Sequence, residues 1–228
     1  MKVFCCYTPA HNVLFEKYFR PSIPHGLTLE AIQIDISGAG DFLSKEFLRC
    51  IRKKILLIQE SIEANRESII IWSDVDIAFF ASPERDLEEV FQERSELQVL
   101  FQREGRRIPD VNTGFMALRC TEDLARYFEK ISHRLEKHGE LNEQAVINQN
   151  LHEGLKWDYL PWTYYARTQG WPPPRDLVIY HANYTKGRDG VGQKIRQLDE
   201  IQRIQKNGWP AYFWAYVRHG LAKALRRN

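Results

Sequence analysis

Ile69-Ile70-Ile71-Trp72-Ser73 runs directly into Asp74-Val75-Asp76. Three β-branched residues and a tryptophan predict a strand buried on both faces, far too short to cross a membrane. Two carboxylates at the end of such a strand are costly unless something pairs with them. In extended backbone, residues i and i+2 point to the same side. Asp74 and Asp76 are therefore expected to converge on one point while Val75 and Ile77 face the core. Two hard oxygen ligands at a strand end suit a divalent cation that keeps positions open for a substrate's phosphates.

Around that run the chain alternates extended and helical patterns. Apolar stretches at residues 3–7, 27–34, 97–101, 112–118, 157–160 and 177–180 read as further strands. Helical spacing covers 11–19, 44–62, 83–91, 122–137, 143–148, 191–205 and 211–227, with Ser44, Ser82, Thr121 and Asn142 as caps and a glycine-rich turn at 37–40. In the long second helix Phe47, Ile51, Ile55, Ile58 and Ile62 form the apolar stripe, and Arg49, Arg52, Lys53 and Lys54 are expected mostly off it. Strands alternating with helices predict an α/β domain with a mainly parallel sheet. Ligands of such sheets sit beyond the carboxyl ends of the strands, where Asp74 and Asp76 fall. We divide the 228 residues into one domain over 1–206 and a helical tail over 207–228.

Composition excludes several function classes. Hydrophobic content of 43% and charged content of 27% suit a core-forming chain. The net charge is +2, and from Asn207 onward there are basic residues and no acids, so the body of the domain has no nucleic-acid footprint. Cys5, Cys6, Cys50 and Cys120 form no CxxC pair, which fits reduced thiols in a cytoplasmic setting. The start of the chain has no signal-peptide pattern.

Four pieces then line up in order. They are Ser73-Asp74-Val75-Asp76; Asn112-Thr113-Gly114, opening a strand that closes with Arg119; Glu143-Gln144 with Asn148; and His181-Ala182-Asn183-Tyr184 followed by Gly187 and Lys194. Together they resemble the nucleotide-diphospho-sugar transferases of the GT-A fold, in particular the galactosyl- and xylosyltransferase-like group, over residues 1–200. The resemblance implies a GT-A-type Rossmann-like domain with a mixed, mainly parallel central sheet flanked by helices. It also implies transfer of a sugar, a hexose by preference, from a nucleotide-diphosphate donor such as a UDP-sugar to a glycan or lipid-linked glycan. By the same resemblance Asp76 is a direct metal ligand, Asp74 binds metal, ribose or both, and His181 is the third protein ligand. An imidazole beside two carboxylates suits Mn²⁺ better than Mg²⁺. Gly187 would let backbone approach the diphosphate and Lys194 would supply a point charge to it. Asn112 and Gly114 would line the sugar pocket. Gln144, or Glu143 beside it, would contact the reacting sugar, and both join Asp74 and Asp76 as catalytic candidates; the family commonly has Asp where this chain has Glu143. Thr8 and Ala10 fall where relatives hold uracil and ribose, and Lys54 or Arg52 would reach the donor phosphates.

Two stretches lie outside those motifs. The aromatic loop from Trp162 to Trp171, with Tyr164 and Tyr165, is a candidate acceptor platform. In the tail, Trp209, Tyr212, Phe213, Tyr216, Val217, Leu221, Ala224 and Leu225 fall near one helical face, accompanied by Arg218, Lys223, Arg226 and Arg227. That composition suits an interfacial helix on an anionic inner membrane surface; the competing expectation is a last helix packed on the domain. Two other functions fit the same acidic motif: a nucleotide-sugar hydrolase or nucleotidyltransferase, and a non-catalytic, membrane-associated nucleotide-sugar binder.

Overall fold

The apolar run at residues 69–73 forms the middle of a layered α/β molecule. The computed structural model describes residues 1–36, 45–137 and 141–225, without the side chain of Lys223. The strands are β1 (Lys2–Tyr7), β2 (Thr28–Gln33), β3 (Ile69–Ser73), β4 (Ile77–Phe79), β5 (Val99–Arg103), β6 (Val111–Arg119), β7 (Trp157–Tyr159), β8 (Tyr164–Ala166) and β9 (Ile179–His181). The helices are α1 (residues 9–22, with a π-wound middle), α2 (Lys45–Ala64), α3 (Glu84–Glu93), α4 (Glu122–Lys137), α5 (Glu143–Asn150) and α6 (Gly190–Leu225). The expected turn at 37–40, the Ser44 cap and the side chains of Lys223, Arg226 and Arg227 lie outside the described residues.

A six-stranded sheet has the order β2-β1-β3-β6-β5-β7. β6 alone runs against the other strands, so the sheet is mixed and mainly parallel, as expected. Alternation along each strand feeds two cores. Val3, Cys5 and Ile71 pack toward α1, α3 and the first half of α6, while Ile70, Trp72 and Met116 pack toward α2, α4 and α5. Thr121 and Asn142 cap their helices as expected: Leu124 N–H donates to Thr121 Oγ1 at 3.2 Å and Ala145 N–H to Asn142 Oδ1 at 2.8 Å.

A second, three-stranded sheet, β4-β9-β8, was not foreseen. Its strands are three residues each, too short to show a period, and they pair across long separations. β8 also overturns the acceptor-platform reading for Tyr164 and Tyr165. Both are 1% exposed inside that strand, leaving only the flanks of the loop accessible. A second correction concerns Lys54, which lies on the buried face of α2 at 5% exposure, whereas Arg52 and Lys53 face solvent.

The last helix breaks at Gly208, whose φ of 65° and ψ of −151° lie outside the helical region, two residues before Pro210. Glu200 and Arg218 form an ion pair at 2.5 Å; in an unbroken helix they would lie about 27 Å apart. The arm beyond Gly208 therefore folds back. Tyr212 donates to the Pro173 carbonyl (2.6 Å), Trp171 Nε1 donates to the Ala215 carbonyl (3.3 Å), and the Arg175 guanidinium lies 3.4 Å from the Trp209 ring centroid. The expected apolar face thus divides. Tyr212 turns to the domain, whereas Trp209, Phe213, Trp214, Tyr216, Leu221 and Leu225 are exposed. No described helix is long and apolar enough to cross a membrane.

Candidate active site

Asp74 and Asp76 occupy the turn between the two sheets rather than a continuing strand. Asp74 N–H donates to the Gly114 carbonyl (2.7 Å), adding a rung to the β3–β6 ladder. The Asp76 carbonyl accepts from Ala182 N–H (2.9 Å), adding a rung to the β4–β9 ladder. Val75 is the crossing point. The two carboxylates converge as expected, but through a turn held at both ends.

His181, at the end of β9, completes a cluster with them: ligand atoms of Asp74, Asp76 and His181 all lie within 4.8 Å of one another. The imidazole is oriented from behind. Gln102 Nε2 donates to the Tyr164 carbonyl (3.2 Å), so its Oε1 faces His181 Nδ1 at 2.8 Å and accepts that proton. In neutral histidine this leaves a lone pair on Nε2, 3.3 Å from Asp76 Oδ1. Two acceptors that close require a cation or a proton between them. The donor set of two carboxylates and an oriented imidazole fits a divalent metal. Gly114 makes the approach of His181 feasible, since a Cβ there would lie 2.2 Å from His181 Cε1.

Two lysines hold the carboxylates from opposite sides. Lys194 Nζ is 2.7 Å from Asp76 Oδ2, and Lys54 Nζ is 2.8 Å from both Asp74 Oδ1 and Glu143 Oε1. Burial alone would raise the Asp76 carboxyl, but Lys194 and His181 outweigh it and hold it well below its ordinary value. Burial lifts Asp74 above its ordinary value; Lys54 counters this in part and the neighbouring Asp76 charge adds to it. For Lys54, burial acts to lower the ammonium's pKa, and the charges of Asp74 and Glu143 reverse that and raise it.

These groups open onto one cavity of about 380 Å³. Of the sequence-predicted residues, Thr8, Lys54, Asp74, Asp76, Asn112, Gly114, Glu143, Gln144, His181, Asn183 and Lys194 line it. Gly187 adopts the left-handed φ of 65° but is not in the cavity wall, nor is Ala10. Arg52 is exposed on α2, and Lys54 reaches carboxylates. Asn148 exchanges hydrogen bonds with the Val111 backbone (2.8 and 2.9 Å) and fixes the entry of β6. Glu143 accepts from Thr113 Oγ1 as well as Lys54, so both its position and its charge are held; Gln144 Oε1 accepts from Thr113 N–H at 3.3 Å.

Sequence reasoning missed Glu104, His11 and Thr168 in the cavity wall. Glu104 Oε2 accepts from Asn112 Nδ2 (2.5 Å) and Gln144 Nε2 (3.4 Å), joining two of the motifs. It sits in a charged loop with no periodicity to single it out. His11 contacts Thr8 Oγ1 at 2.9 Å, and burial together with Lys194 keeps it below its ordinary pKa. The wall carries four carboxylates (Asp74, Asp76, Glu104, Glu143) and two lysines, an excess of negative charge that again suits a cation.

The sequence of residues 15–198 matches the family model of nucleotide-diphospho-sugar transferases. The chain belongs to that family. Solved structures agree on the fold. A glycosyltransferase involved in glycosylating the major capsid of PBCV-1 superposes with a TM-score of 0.58 at 10% identity, covering 87% of this chain and 98% of its own. The glycosyltransferase GlyE of Streptococcus pneumoniae TIGR4 gives 0.56 at 13% identity, covering 87% of this chain and 62% of GlyE. The galactosyltransferase LgtC, solved with donor and acceptor sugar analogs, gives 0.55 at 12% identity, covering 88% and 95%. A comparison with curated protein sequences finds no match. As a member of the family the chain is a glycosyltransferase of the GT-A fold.

Proposed function

We propose that this transferase moves a hexose from a nucleotide-diphosphate donor, a UDP-sugar by preference, to a glycan or lipid-linked glycan, with Mn²⁺ as its metal ahead of Mg²⁺. The observation that carries the reading is the cluster of Asp74, Asp76 and His181 with Lys194 beside it, at the mouth of one cavity. Asp74, Asp76 and His181 would hold the metal. Bound there, it neutralises the charge that builds on the departing diphosphate. Lys194 then offers its ammonium to the phosphates as a second point charge. Thr8, on the β1 side of the cavity, faces the base and ribose, and Gly187 leaves room for backbone near the diphosphate. Asn112 and Gly114 bound the sugar. Glu143, held by Lys54 and Thr113, positions the start of α5, and Gln144 contacts the reacting sugar.

The test is to incubate the chain with a panel of nucleotide sugars, with and without Mn²⁺, and measure nucleoside diphosphate release. Release that needs Mn²⁺ and disappears in Asp76→Ala supports the transfer. Nucleoside monophosphate would identify pyrophosphate cleavage instead. Thermal stabilisation without release would identify a binder, since a ligand raises stability whether or not it turns over.

The exposed aromatics beyond Gly208, in a segment with basic residues and no acids, support reversible attachment of the enzyme to an anionic inner membrane surface, bringing it to a membrane-proximal acceptor. A chain truncated after Gln205 should lose sedimentation with anionic liposomes; equal sedimentation would rule the attachment out.

A further inference from the structure

A second depression of about 540 Å³ lies beside the cavity, walled by Arg106, Trp162, Tyr165, the Pro172-Pro173-Pro174 run and Tyr212 of the folded-back arm. The same segments build both. Glu104 and Thr168 line the cavity and are joined by a hydrogen bond from Thr168 Oγ1 to the Glu104 carbonyl (2.6 Å), next to one from Gln169 Nε2 to the Arg103 carbonyl (2.7 Å). Arg106 is two residues past Glu104, a reach of at most about 7 Å. Tyr165 is three residues before Thr168. A ligand seated in the depression thus lies next to the cavity wall.

Its lining has the chemistry of a charged sugar site. Trp162 is 41% exposed, and Arg103, which lies 3.9 Å from the Tyr159 centroid and 5.3 Å from that of Trp162, braces the indole. Pro172 and Pro174 add half-buried apolar surface to the wall. Arg106 is exposed and makes no ion pair among the described residues. Tyr165 walls the depression at 1% exposure, and its hydroxyl, beside Arg167, is shut off from solvent.

We propose that this depression binds an acidic sugar residue of the acceptor. Its ring lies on Trp162 and the prolines, and its carboxylate pairs with Arg106. A single unpaired guanidinium matches one planar carboxylate in a bidentate pair, whereas a phosphate monoester carries more charge than it can meet. The term acceptor rests on the transferase reading above; the binding itself does not.

The probes are methyl β-glucuronide and methyl β-glucoside, which differ in having a carboxylate or a hydroxymethyl group. Each is titrated into the full chain by saturation-transfer NMR without nucleotide or metal. The glucuronide should bind about tenfold tighter, the scale of one charge-assisted pair. Arg106→Gln should erase that difference, and Trp162→Ala should weaken both ligands, because it removes the exposed ring on which the sugar lies. Equal binding of the two sugars, a preference that survives Arg106→Gln, or tighter binding of glucose 6-phosphate than of glucuronide would each overturn the assignment. Failure of diphosphate release with every nucleotide sugar would sink the transferase reading and leave this result untouched.

Discussion

Lys54 is 5% exposed between two carboxylates, whereas Trp214, on the arm beyond Gly208, is 68% exposed with Phe213 against its ring. One region buries charge and the other exposes hydrocarbon, and each runs against the ordinary preference. In the cavity much of the cost is met internally, because Lys54 pairs with Asp74 and Glu143, Lys194 pairs with Asp76, and Thr113 and Gln102 add hydrogen bonds. On the arm Phe213, Trp214 and Tyr216 stay exposed. Damage to the cavity should therefore register in both stability and activity, and damage to the arm's outer face in binding alone.

The sharpest test of that division is Asp76→Ala, expected to lower diphosphate release at least about 100-fold, the scale of losing one preorganised electrostatic contact. Next comes Lys54→Met. It leaves Asp74 and Glu143 without their shared cation and should cost about 3–5 kcal/mol, read from denaturant unfolding. The Lys54 ammonium titrates above its ordinary value, so its contribution is complete below the unfolded value of about 10.4 and is lost only as pH rises through the folded one. The gap between wild type and variant should thus hold at neutral pH and close under strong alkali. Gly114→Ala forces His181 aside and should cost about 1–3 kcal/mol together with most of the activity. Retained activity would mean that His181 is dispensable. The smallest change in stability, below about 0.5 kcal/mol, is expected for Trp214→Ala, with weaker sedimentation on anionic liposomes. A core-sized loss of Tm there would break the comparison.

Much of the fold was readable because β3 and β6 are apolar runs and Thr121 and Asn142 cap the two helices that follow β6 as written. The meeting of Asp74, Asp76 and His181 was readable because these residues stand at strand ends. Lys54 was misplaced because helical periodicity assigns a lysine to solvent unless acids from other elements meet it, and Asp74 and Glu143 arrive from β3 and α5. Glu104 lies in a loop that carries no periodic signal. The proximity of Gly114 to His181 is a cross-sheet contact that no local pattern encodes. Tyr164 and Tyr165 looked like loop aromatics because a three-residue strand is shorter than any window that detects alternation.

The crossing at Val75 has a further consequence. Asp74 is the terminal rung of the large sheet, while Asp76 and His181 belong to the small one. Any ligand held jointly by these three side chains adds a cross-link between the two sheets to the one that Gln102 makes with Tyr164 and His181. Site occupancy and the integrity of β4, β8 and β9 are then one equilibrium, and amide protons of the small sheet would exchange more slowly in step with saturation of the site.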